Sequence, residues 1–279
     1  MDPMEHIRQA VERAKVPGGV NTQTLRQPAS VGQQPTPAAG VQPPINPVLL
    51  NESHLESNRV IAHNIADPRT KSFDMLRTQV LQAMDIKSWQ TIGVTSPTEG
   101  CGKSVIATNL ALSIARQQER AVLLVDMDLQ KPRIAGNLGL KCEYGLLEVL
   151  EGKINLSSAS IQARIRQEQI RILPCKKSIL GSSEWMASRS MTVLLQEIKR
   201  EFRAWTVIID LPPVLPSDDV ISILPQIDCV LFVVQAGTTT VPEIKECNKH
   251  LDATPVVRVV LNKASDATAR YYSYGGHDR

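Results

Sequence analysis

The chain has 279 residues, 42% of them hydrophobic and 21% charged, with a formal net charge of +3. That length holds one α/β domain of about 200 residues plus extra segments, and the charge is too small to argue for a nucleic-acid partner. No apolar run approaches the ~18 residues of a membrane span, the start lacks the apolar centre of a secretory signal, and the five cysteines and five histidines are scattered without metal-ligand spacing, which suits a reducing cytoplasm.

In chain order, Asp2-Pro3-Met4-Glu5 reads as a helix start, with Asp as cap and Pro in the first turn. Met4, Ile7, Val11 and Ala14 then form one narrow apolar stripe. Residues 1–16 are therefore expected to be a short amphipathic helix, either a plain surface element or a docking helix for a partner. Residues 17–48 are rich in Pro, Gly and Gln, with Arg26 as their only charge, and predict a flexible, extended linker. The folded domain is expected over 49–265, followed by a flexible tail over 266–279.

From about residue 71 helices alternate with short apolar strands. "FDMLRTQVLQAM" has helical period, "TIGVT" is a strand and "VIATNLALSIARQ" a helix. "AVLLVD" and "TVIID" are apolar strands that each end in aspartate; "CVLFVVQA" and "VVRVVLN" complete the set. This alternation predicts a doubly wound, mostly parallel sheet with helices on both faces. In such a sheet ligands sit beyond the carboxyl ends of the strands.

"PTEGCGKS" joins the first of these strands to its helix. Gly100 and Gly102 allow successive backbone N–H groups to turn inward around Cys101, and the helix adds its positive dipole end, so a phosphate fits there. Lys103 would reach the β- and γ-phosphates, Ser104 would ligate Mg²⁺, and Val105 follows in the first turn. Pro97 stands where the usual pattern has its first glycine. Cys101 has two readings: a tolerated small residue, or a thiolate favoured by the nearby lysine whose oxidation blocks nucleotide binding. Asp126 and Asp128 follow one strand and Asp210 another. Any one could simply cap the next loop or helix. Three beside a triphosphate can hold Mg²⁺ and take a proton from an incoming hydroxyl.

"TSPTEGCGKS", "LLVDMDLQKP" and "VIIDLPP" resemble the Walker A, Walker A′ and Walker B motifs of the bacterial tyrosine kinases, the CpsD/CapB-like family of capsule and exopolysaccharide synthesis. The similarity runs over roughly residues 66–274 and includes "GLLEVLEG", "GSSEWMAS" and "VVLNKASD". It implies a P-loop NTPase fold of the MinD/ParA-like class, with ATP and Mg²⁺ as cofactors. By the resemblance, Lys103 and Ser104 hold phosphate and metal, Asp126 activates a tyrosine hydroxyl, Asp128 and Asp210 organise the metal, and Asn262 reads the adenine.

Three of the four tyrosines, Tyr271, Tyr272 and Tyr274, lie in "YYSYGGHDR", a segment without period. The resemblance implies that such a cluster is phosphorylated between subunits of a homo-oligomer, with a ring as one possibility. It further implies a membrane polysaccharide co-polymerase or chain-length regulator whose cytoplasmic segment recruits the kinase to the membrane's inner face, and a cognate tyrosine phosphatase.

Two departures from the family are visible. Lys71 and Asp74 stand where an E-x-x-R-x-x-R pattern, ending here at Arg77, carries Glu and Arg, so a subunit contact is either lost or re-paired, or else the face is free to vary. Gln130 and Lys131 stand where two arginines are common. Two rival readings remain: a partition or septum-positioning ATPase, whose signature lysine would fall at Thr98, and a non-catalytic ATP-binding assembly protein.

Overall fold

The computed structural model describes residues 46–252 and 254–264. The expected N-terminal helix, nearly all of the linker, and the tail with Tyr271, Tyr272 and Tyr274 lie outside the described residues.

The strands are β1 (Val48–Leu49), β2 (Thr91–Thr95), β3 (Val122–Asp126), β4 (Ile161–Ile165), β5 (Glu168–Leu173), β6 (Thr206–Asp210), β7 (Cys229–Gln235) and β8 (Val256–Asn262). They form one sheet in the order β1-β4-β5-β3-β6-β2-β7-β8. Every neighbouring pair is parallel except β4 and β5, whose two-residue turn places Arg166 at φ +50°. The predicted apolar runs all appear as strands of the central sheet. The β4–β5 hairpin and the β1 edge were not foreseen, and β1 starts at the last residue of the expected linker.

Continuous apolar strands make sense because both faces are covered. Leu123, Val125, Val207, Ile209, Val230 and Phe232 belong to the core on one face. Ile92, Val94, Leu124, Ile208, Leu231 and Val233 belong to the core on the other. Each fully buried side chain of this size contributes roughly 1.5–3 kcal/mol.

The helices are α1 (Glu52–Ser57), α2 (Thr70–Lys87), α3 (Lys103–Ala115), α4 (Ile134–Leu138), α5 (Leu146–Leu150), α6 (Leu156–Ala159), α7 (Ser182–Met186), α8 (Arg189–Glu201), α9 (Asp219–Ile223) and α10 (Val241–Leu251). α8 is amphipathic: Met191, Leu194, Leu195 and Ile198 form its buried stripe, and the Ser188 hydroxyl caps it by accepting from Met191 N. α3 is different, buried nearly all round. One side lies on the sheet, and α2 packs on another. That burial holds the start of α3 rigidly at the carboxyl end of β2, where the phosphate loop must sit.

Asp74 is central to the α2–α3 contact. Its Oδ1 accepts from Arg77 and Arg116 at 2.9 Å each and from Ser113 Oγ at 2.8 Å. The idea of a freely variable helix face therefore fails at this position, because Asp74 neutralises two guanidinium groups of its own chain. Lys71, one turn earlier, is exposed.

Candidate active site

The register brings the sequence-predicted residues together. β6 lies between β3 and β2, with Asp126 paired to Asp210 and Asp210 paired to Val94. Side chains on paired parallel residues point the same way, so Asp126 and Asp210 stand side by side next to the loop that follows β2.

The loop turns on two glycines in the left-handed region, Gly100 at φ +78° and Gly102 at φ +94°. A Cβ on Gly102 would also lie 2.3 Å from Asn262 Nδ2. Pro97 is not one of the positive-φ positions, which explains why a residue with φ locked near −65° is tolerated there. The backbone N–H groups of Cys101, Gly102, Lys103 and Ser104 donate to no backbone oxygen among the described residues. They are free to cradle an anion.

Cys101 packs as a small interior residue. Its side chain is 1% exposed and packs in the core beneath the loop, with Sγ 3.7 Å from Thr98 Oγ1 and 3.9 Å from Thr239 Oγ1. Only its backbone faces the cradle. Asn262 gives Nδ2 to Cys101 O at 2.8 Å. It thus touches the outside of the loop, and its side-chain carbonyl and second amide N–H carry no bond among the described residues.

Lys103 Nζ donates to Asp128 Oδ2 at 2.6 Å and lies 3.6 Å from Asp210 Oδ1. Burial disfavours its charge, yet Asp210 and then Asp128 outweigh that and raise the ammonium's pKa. Asp126 divides its carboxylate: Oδ2 accepts from Arg133 N and Ile134 N and so caps α4, whereas Oδ1 is buried without a donor. Burial, and next the charge of Asp210, push its pKa well above the usual carboxylate range. Asp128 is divided too, with Oδ1 accepting from Lys131 N. The capping explanation therefore accounts for half of each of these aspartates.

Asp210 does no such work. It is fully buried, and no donor lies within 3.5 Å of either oxygen, with the Lys103 ammonium 3.6 Å from Oδ1 and the Ser104 hydroxyl also beside it. Burial raises its pKa, against the opposing pull of Lys103. A buried carboxylate without a close hydrogen bond, beside the Ser104 hydroxyl and with Asp128 close by, is a hard-oxygen donor set of the kind Mg²⁺ takes. The residues present fit that ion.

A cavity of about 650 Å³ opens over the loop, lined by Gly100, Gly102, Lys103, Ser104, Val105 and Asp128 among others. Sequence reasoning missed its far wall, which includes Asn58 and Arg59. That wall is held by Asn109 of α3, a buried amide that accepts from Ile61 N and Ala62 N and donates to Arg59 O. An Asn within an apolar helix was the available signal. The departures in the A′ segment also find partners: Gln130 donates to Asp219, and Lys131 pairs with Glu99.

Residues 89–253 match a family described as AAA domain. Among curated proteins the chain is 31% identical over 228 residues to EpsB of Ralstonia nicotianae, covering 80% of this chain and 29% of that protein. It is 29% identical over 199 residues to the succinoglycan biosynthesis transport protein ExoP of Rhizobium meliloti, covering 68% of this chain and 24% of that one. The tyrosine-protein kinase YwqD of Bacillus subtilis is 26% identical over 229 residues, covering 81% of this chain and 94% of that protein. The chain thus spans less than a third of EpsB and ExoP and matches nearly all of YwqD. In three dimensions it resembles the VpsO kinase domain with a TM-score of 0.62 at 26% identity, over 76% of this chain and 98% of that one. Its fold is also similar to that of the MinC:MinD cell division protein complex of Aquifex aeolicus, with a TM-score of 0.53 at 20% identity over 66% of this chain and 73% of that one. The chain belongs to the AAA-domain family, and it is similar to bacterial tyrosine-protein kinases, YwqD and the VpsO kinase domain among them.

Proposed function

We propose that this protein is an ATP-dependent protein-tyrosine autokinase that phosphorylates Tyr271, Tyr272 and Tyr274 of a neighbouring subunit and thereby regulates exopolysaccharide or capsule polymerisation and export. The observation that carries the reading is Asp210: a fully buried carboxylate with no donor inside 3.5 Å, beside Lys103 and Ser104 and in register with Asp126. A merely structural aspartate would have its oxygens satisfied.

When bound, Mg²⁺ supplies charge neutralisation for the β- and γ-phosphate oxygens. In this reading Ser104, Asp128 and Asp210 would hold the ion, and the N–H groups of the loop and Lys103 would hold the phosphates. Asp126 takes the tyrosine proton on Oδ1, since Oδ2 is committed to α4. A free tyrosine hydroxyl, with pKa near ~10, is a poor nucleophile at neutral pH without a base. The raised pKa of Asp126 brings the base closer to that requirement. Asn262 meets the adenine with its uncommitted carbonyl and N–H.

The proposed organisation is a helix over 1–16, a linker over 17–48, the kinase domain over 49–265 and an acceptor tail. No helix among the described residues is long and apolar enough to cross a membrane. Membrane attachment is assigned to a polysaccharide co-polymerase, in keeping with the transport function in ExoP's name. A homo-oligomer and a cognate phosphatase complete the proposed cycle. The partition-ATPase reading is not favoured, because its signature lysine is replaced by Thr98.

The test is phosphotyrosine formation on incubation with Mg-ATP. The wild-type chain should label, chelation of Mg²⁺ should stop labelling, and Lys103→Met should reduce it to background. Labelling that persists in Lys103→Met would place the activity elsewhere.

A further inference from the structure

The end of β8 presses on the outer side of the phosphate loop through two consecutive residues. Asn262 Nδ2 donates to Cys101 O at 2.8 Å. Lys263 Nζ donates to Gly100 O at 2.7 Å and to Gln235 Oε1 at 3.1 Å. The strand end is itself fixed, since Ala236 N donates to Asn262 O at 2.9 Å. Lys263 also holds φ +57°, a left-handed conformation that a lysine rarely adopts without a local reason.

A planar trans peptide sets the carbonyl of one residue antiparallel to the N–H of the next. Drawing the Gly100 carbonyl toward Lys263 turns the Cys101 N–H the opposite way. Drawing the Cys101 carbonyl toward Asn262 does the same for the Gly102 N–H. Neither of these N–H groups donates to a backbone oxygen among the described residues.

We propose that Lys263, assisted by Asn262, is a positioning residue for the phosphate loop: it pins two carbonyls outward so that the following N–H groups converge on the β-phosphate of the nucleotide. The inference rests on the loop's reading as a nucleotide site and is independent of which hydroxyl receives the phosphoryl group. Its physical benefit is preorganisation. Gly100 and Gly102 have more backbone freedom to lose than other residues, and ordering them in advance removes that cost from the binding step. An ammonium does this better than a neutral donor, because charge-assisted hydrogen bonds are the stronger ones.

The experiment compares wild type, Lys263→Met and Lys263→Arg as full chains, with calorimetric titration of ATP and ADP and competition binding of adenosine. Lys263→Met should lose about three- to tenfold in affinity for ATP and for ADP alike. Adenosine binding should stay at the wild-type level, and Lys263→Arg should recover most of the loss. In the kinase assay the KM for ATP should rise by the same factor while kcat changes less than about twofold. Unchanged ATP affinity in Lys263→Met would overturn the proposal, as would an equal loss for adenosine. A wild-type chain that binds ATP yet forms no phosphotyrosine contradicts the kinase reading and leaves this one standing.

Discussion

Asp126 and Asp210 are where the proposed chemistry would come at a cost in stability. Each is fully buried, and for both the folded-state pKa lies above that of an unfolded aspartate. A raised carboxylate pKa means that the folded chain binds more protons than the unfolded one. Its destabilising contribution is therefore absent below the ordinary value near ~3.9 and grows as pH rises through the elevated folded value. Asp126→Asn keeps an oxygen for the Arg133 and Ile134 N–H groups but removes the buried charge. The variant should be more stable at pH 8 by about 0.5–2 kcal/mol, with the gain vanishing toward pH 4, and it should not label tyrosine. Thermal melts at a series of pH values check this; a variant less stable than wild type at pH 8 would mean that the Asp126 charge is compensated.

Elements differed in how legible they were. β2, β3, β6, β7 and β8 were readable because burial on both faces imposes uninterrupted apolar runs, and two of them end in the site's aspartates. The β4–β5 hairpin was not, because "IQARIRQEQIRIL" interleaves Arg, Gln and Glu with its apolar residues and lies toward the sheet's edge. β1 has two residues after a proline-rich stretch, too few to carry a pattern. Within the site, loop residues and aspartates were readable from their positions at strand ends. The contacts of Asp74, Asn109 and Lys263 were not, since each reaches a partner 39 or more residues away in sequence. Asp74 also changes what a charge-restoring experiment measures. Asp74→Arg would place a third guanidinium beside Arg77 and Arg116 and should cost roughly 2–3 kcal/mol of stability. Exposed Lys71→Glu should leave the melting temperature unchanged and so isolates any subunit contact. Equal melting temperatures for Asp74→Arg and wild type would show that the α2–α3 ion cluster contributes nothing.

For the whole molecule, the kinase account joins two ends of the chain. β8 stops at the phosphate loop, and Ala264 is the last described residue before the tyrosine cluster. The last described residue thus lies close to the phosphate loop. Transfer to a neighbour would add about −1.5 to −2 charges at each tyrosine, enough for modified tails to repel one another and loosen an assembly. The most direct measurement is mass spectrometry of the C-terminal peptide after the folded full chain is saturated with Mg-ATP, with the cytoplasmic segment of the proposed membrane partner present. The account predicts phosphate on at least one of Tyr271, Tyr272 and Tyr274, absent from Lys103→Met. An unmodified peptide from ATP-saturated wild-type protein would contradict it.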